Sequence, residues 1–150
     1  MRVPGIVGVL EPYRENISVS VLKHGKIIQP IRGLRLLSSG VVTIAGSYSF
    51  DAATIMWDTG ATESVVIHPN VRARTGIEPE DRGTIWTATT DVEEVLYYPG
   101  KIEIFNKIAF ELSWIDVMES RPNFADVIIG MDVISKGQLI VNGDEFSFEI

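Results

Sequence analysis

The chain has 150 residues, 45% apolar and 22% charged, which suits one folded domain with a sizeable core and excludes a disordered chain or two enzyme-sized lobes. Thirteen basic against twenty acidic residues give a net charge of -7, and no block of Lys or Arg could track a phosphate backbone, so no nucleic acid partner is expected. The absence of cysteine excludes disulfides, thiolate metal sites and a cysteine nucleophile, and without a run of about 18 apolar residues no membrane span is expected.

Met1-Arg2-Val3-Pro4-Gly5 lacks the apolar stretch of a secretory leader, so a soluble, cytoplasmic protein is expected. Residues 16 to 21 alternate polar and apolar, with Ile17, Val19 and Val21 on one face, and read as a strand ended by His24-Gly25. From 26 to 45, short apolar stretches broken by Pro30, Gly33 and Gly40 suit bent strands. Gly46-Ser47-Tyr48-Ser49 reads as a loop leading to a strand that ends at Trp57.

Asp58-Thr59-Gly60-Ala61 follows at once. An acid, a hydroxyl and a glycine in succession form a tight loop that presents a carboxylate. Amide hydrolysis by carboxyls alone needs two of them, so the partner acid comes from elsewhere in the chain or from another chain. After Ser64-Val65-Val66-Ile67, Pro69 opens a short helix through Arg74 with Gly76 as its stop.

Residues 84 to 88 and 94 to 98 flank the polar tip Thr89-Thr90-Asp91 and read as a projecting hairpin. Ile102 and Ile104, then Ile108, Phe110, Leu112 and Trp114, have period-two apolar faces around an Asn106-Lys107 turn, which makes two long half-buried strands. Val127-Ile128-Ile129 is an apolar run stopped by Gly130, with a helical turn expected from 131 to 136. Asn142-Gly143 predicts a two-residue hairpin turn between the last two strands. No repeat or linker divides the chain.

With both loops in place, the chain resembles the retropepsin-like aspartic proteases over roughly residues 48 to 150. Trp57-Asp58-Thr59-Gly60-Ala61-Thr62 is similar to that family's active-site loop. The stretch Ala125-Asp126-Val127-Ile128-Ile129-Gly130-Met131-Asp132 is similar to its downstream apolar-apolar-Gly segment, about seventy residues on. The resemblance implies an all-β acid-protease barrel with one or two short helices, and an active site on the two-fold axis of a homodimer. It divides the chain into a β extension over residues 1 to 45, packed on the same domain, and a protease domain over 46 to 150.

The resemblance further implies an aspartic endopeptidase that cleaves polypeptide substrates with one catalytic Asp58 from each subunit, without metal or cofactor. Thr59, Gly60 and Ala61 would support the loop, Thr59 by bonding across the axis. Ile128, Ile129 and Gly130 would pack beneath it. Trp86, Thr87, Ala88, Thr89, Thr90 and Asp91 would be the flap that closes over a peptide. The terminal strand, 145 to 150, would hold the dimer by pairing along an exposed edge.

Three features depart from the family pattern. Met131 and Thr62 stand where many retroviral members have an Arg and an acid, and the flap tip lacks the usual glycines. The flap tip favours a competing expectation, a domain of the same fold that dimerises or holds peptide without cutting. His24 and His68 lack an Asp-Ser partner at a telling spacing, so a serine triad has no support. Glu93-Glu94 and the acids between 116 and 119 read as solvated charge, and Trp86, Tyr97 and Tyr98 as packed aromatics rather than a peptide groove.

Overall fold

The computed structural model describes residues 8–9, 18–86, 92–119 and 125–150. Its first strands are β1 (Gly8–Val9), β2 (Val19–Lys23), β3 (Lys26–Pro30), β4 (Leu37–Ile44) and β5 (Tyr48–Trp57). β6 (Val65–Ile67) and the helix α1 (Val71–Thr75) come next, then the long strands β7 (Asp81–Trp86), β8 (Val92–Ile104) and β9 (Ile108–Met118). The chain ends with β10 (Val127–Ile129), the helical turn α2 (Met131–Ile134), β11 (Gln138–Asn142) and β12 (Glu145–Glu149).

Six strands close a barrel in the order β8, β4, β5, β10, β6, β9, because β9 pairs back onto β8. Closure removes the free edges that an open sheet of this size would present. Two of its seams are parallel, β5 with β10 and β6 with β9, and the rest are antiparallel. Each parallel seam needs a long crossover, so the chain leaves the barrel between partners and returns. Strands from both sides of residue 45 share the barrel, since β4 lies between β5 and β8.

The period-two faces of the β8–β9 hairpin end at a three-residue turn, Phe105 to Lys107, in which Phe105 and Asn106 take positive φ. In β10 all three residues are buried because apolar clusters lie on both of its faces. Val127 and Ile129 join Ile55, Trp57, Phe146 and Phe148 on one side, and Ile128 joins Met56, Ala61, Val65 and Tyr97 on the other. A strand sandwiched in this way loses the alternation of a half-buried one and reads as a continuous hydrophobic run.

Several expectations shift. Tyr48 and Ser49 belong to β5, since the β4–β5 turn occupies 45 to 47. The helix runs from Val71 to Thr75 rather than from Pro69 to Arg74, and Gly76 is its stop as expected, its left-handed φ of 68° letting its N–H reach Arg72 O at 2.9 Å. The final hairpin turns on Gly143-Asp144, with Asn142 opposite Glu145. Gly143 has a φ of 67°, which explains the glycine there.

The terminal strand is not an exposed edge. β12 is the middle of a separate three-stranded sheet, with β11 on one side and β3 on the other, so its backbone groups are already taken. Asp116 is also not solvated: β9 is flanked there by β6 and β8, and the residue is buried. Glu94 does face solvent. Among the described residues no helix is long and apolar enough to cross a membrane.

Candidate active site

β5, a strand of the barrel wall between β4 and β10, delivers the Asp58 loop. Trp57 is buried, its ring lies 4.7 Å from that of Phe148, and its indole N–H donates to Ser38 Oγ at 2.9 Å. Burial of so large a ring and the matching of its one donor fix the strand end from which the loop starts. Asp58 then turns the chain: its N–H donates to Ile129 O at 2.9 Å, and its carbonyl accepts from Ala61 N at 3.2 Å. The Gly60 N–H donates to Asp58 Oδ1 at 2.8 Å, so the loop's own backbone orients the carboxyl.

The downstream segment forms the other half of the site. Ile129 lies opposite Trp57 in the parallel seam, and Met131 N donates to Ala61 O at 2.9 Å. Gly130 N donates to Ser64 Oγ at 3.0 Å. Two loops about seventy residues apart in sequence are thus joined by three hydrogen bonds around the Asp58 turn. Gly130 has to be glycine: an added Cβ would lie 2.7 Å from Glu63 O and 2.9 Å from Ala61 O.

Asp132 completes the junction. Its carboxyl accepts from Ser64 N at 2.9 Å and Ser64 Oγ at 2.7 Å, and also from Val133 N. Withdrawal from water pushes the Asp132 carboxyl above its usual range and the nearby Glu63 charge adds to this, while the donors from Ser64 and Val133 pull the other way. Glu63 is itself 3% exposed, and among the described residues neither of its carboxylate oxygens meets a donor.

The expected site residues therefore fall into groups. Asp58, Gly60, Ala61, Ile128, Ile129 and Gly130 come together at one end of the barrel, with Thr59 exposed beside them. In the single chain Asp58 is fully buried. Trp86 ends β7, whose pairing with β8 forms the base of the expected flap, and Thr87, Ala88, Thr89, Thr90 and Asp91 lie outside the described residues. Tyr97 and Tyr98 are buried in the body rather than lining a groove.

Thr62 and Met131, where an ion pair stands in many retroviral proteases, are both exposed. Ser64 was not legible as a site residue from spacing. Its position six residues after Asp58 acquires meaning only once β10 and α2 lie alongside. Among the described residues no group of three or more His, Asp or Glu is placed to hold a metal.

A solved retropepsin-like aspartic protease from Rickettsia conorii is similar to this chain, with a TM-score of 0.54 at 14% identity over 92% of this chain and 97% of that one. The chain has the retropepsin-like fold. At this identity the likeness speaks to the fold alone. No family model matches the chain, and no curated protein does. Within this fold the Asp58 turn and the Ile128-Ile129-Gly130 segment meet through the parallel β5–β10 seam.

Proposed function

We propose that the protein is an aspartic endopeptidase that works as a homodimer, with one Asp58 from each subunit. The observation that carries this reading is the Asp-Thr-Gly turn, one per chain, held by hydrogen bonds to Ile129 and Met131 at the end of a retropepsin-like barrel. Two carboxyls about 3 Å apart share one proton, because both cannot easily ionise at once. The ionised Asp58 takes a proton from a water, the oxygen of that water bonds to the scissile carbonyl carbon, and the other Asp58 gives its proton to the carbonyl oxygen. Collapse of the tetrahedral species breaks the C–N bond, and a proton passes from a carboxyl to the leaving amine.

Exposed Thr59 sits beside the turn and is available to reach the partner's loop. Asp58 is already out of solvent in the single chain, so dimerisation or substrate entry has to uncover it. The same burial favours the second reading, a peptide-holding or dimerisation domain of this fold that does not cut. Asp58→Asn decides between the two. On the first reading the variant keeps its fold and solution mass and loses about a hundred-fold or more of the rate on a broad peptide library. Wild-type protein that binds peptides from the library and leaves them intact supports the second.

A further inference from the structure

The turn between β3 and β4 holds an apolar side chain in the open. Arg32 and Arg35 face each other across Gly33 and Leu34, with Arg32 N donating to Arg35 O at 3.2 Å and Arg35 N to Arg32 O at 3.0 Å. Both central residues take left-handed backbone, Gly33 at a φ of 59° and Leu34 at 63°. Glycine adopts that conformation freely and Asn or Asp often do, whereas a bulky side chain is strained in it. Leu34 is also 86% exposed, more than any other large apolar side chain among the described residues.

The turn is firmly anchored. Ile31 N, just before it, donates to Asp144 O at 2.7 Å, and Leu36 O, just after it, accepts from Trp57 N at 2.9 Å. Ile31 and Leu36 pack on the main apolar cluster, so the apolar residues of both arms are turned in and Leu34 alone is turned out. A Cβ built on Gly33 would meet nothing within 4 Å, so the tip stands clear of the body. Strain that the surroundings hold in place, at an exposed apolar tip, points to a contact made outside the chain.

Position and charge narrow the contact down. Leu36 lies across from Trp57, the residue before Asp58, so this turn and the Asp58 turn project from one end of the barrel. Arg32 and Arg35 are both exposed in a chain of net charge -7, and Arg32 has no ion pair among the described residues. A protrusion cannot enclose a small molecule, which needs a concave site. One leucine is too little apolar surface to anchor the chain to a bilayer, and the net charge opposes an anionic one. What fits is another polypeptide, extended past the Asp58 end of the barrel, with a carboxylate for the arginine and an apolar side chain for Leu34.

We propose that the turn at residues 32 to 35 is an exosite for the polypeptide substrate, where Leu34 packs on an apolar side chain and Arg32 pairs with a carboxylate beside it, away from the scissile bond. This rests on the endopeptidase reading above and gives its substrate class: chains with acidic residues next to apolar ones at some distance from the cut. In the homodimer of that reading the turn occurs twice, so both flanks of a substrate can be held.

Two labelled peptides test it, identical in a central apolar segment and carrying Glu-Leu-Glu at both ends in one and Lys-Leu-Lys in the other. Binding is read by fluorescence anisotropy on Asp58→Asn, which leaves the peptides whole, and cleavage is read on wild type. Both are expected to favour the acidic peptide about five-fold, the scale of an exposed ion pair, with the cleavage preference lying in KM rather than kcat. Arg32→Glu is expected to reverse the preference. Leu34→Gly, which suits the left-handed backbone, is expected to keep its melting temperature and to weaken binding of both peptides about five-fold.

Equal binding of the two peptides, or an acidic preference that survives Arg32→Glu, overturns the exosite, and so does a Leu34→Gly variant that binds both peptides with undiminished affinity. An acidic preference in binding that Arg32→Glu reverses, without cleavage by wild type, supports the exosite and counts against the catalytic reading. Asp58-dependent cleavage without any such preference does the reverse.

Discussion

Ser64 and Asp132 are joined twice, backbone N–H to Oδ2 at 2.9 Å and hydroxyl to Oδ1 at 2.7 Å, and the same hydroxyl accepts from Gly130 N at 3.0 Å. One side chain thus ties the strand after the Asp58 turn to the segment beneath it. Ser64→Ala leaves a buried N–H and a carboxylate oxygen short of partners, which costs about 1–3 kcal/mol. Urea denaturation is expected to register that loss, and peptide hydrolysis is expected to fall with it as the turn loosens.

Asp132 gives stability a pH signature. Its folded carboxyl lies above the ordinary 3.8, so the folded state holds the proton more tightly than the unfolded chain. The contribution is therefore full below 3.8 and is lost as pH rises through the folded value. Asp132→Asn, which keeps an acceptor for Ser64, is expected to flatten the melting temperature against pH in this window.

His68 has the opposite sign. Its ring stacks on Phe50 with centroids 4.0 Å apart, and its Nε2 lies 3.0 Å from Tyr48 Oη. Partial burial lowers its value below the ordinary 6.5, the Arg74 charge lowers it further, and Asp126 opposes both. Stability from neutral His68 is present above 6.5 and is lost as pH falls through the folded value. A His68→Gln variant is expected to lose less melting temperature than wild type when taken from neutral to mildly acidic pH.

Gly130→Ala tests the closeness of the two loops. The methyl group has to displace the backbone carbonyls of Glu63 and Ala61, neither of which is the end of a flexible side chain. Overpacking of this kind costs about 1–3 kcal/mol. Calorimetry is expected to show the destabilisation, and the rate on peptides is expected to drop even well below the melting temperature.

Much of this arrangement was legible in short windows of sequence. Period-two faces located β9 and the last residues of β8, though β8 runs unbroken from Val92 through Pro99 and Gly100; the apolar run 127 to 129 located β10, and the acid-hydroxyl-glycine order located the turn at Asp58. Long-range pairing was not legible, because nothing local in Glu145–Glu149 tells that β3, more than a hundred residues earlier, lies along it. The same limit hid Asp116, whose burial depends on β6 and β8 flanking it, and Ser64, whose partners lie on α2 and the end of β10. Asp58 stood out because its turn is built from adjacent residues.

The account depends on two chains each supplying Asp58, and subunit mixing tests it most directly. Wild type and Asp58→Asn, combined in equal amounts at constant total protein and allowed to exchange subunits, are expected to retain about one quarter of the undiluted wild-type rate, since only dimers with two intact carboxyls cut. Retention of about one half, the value for subunits that act independently, would contradict it.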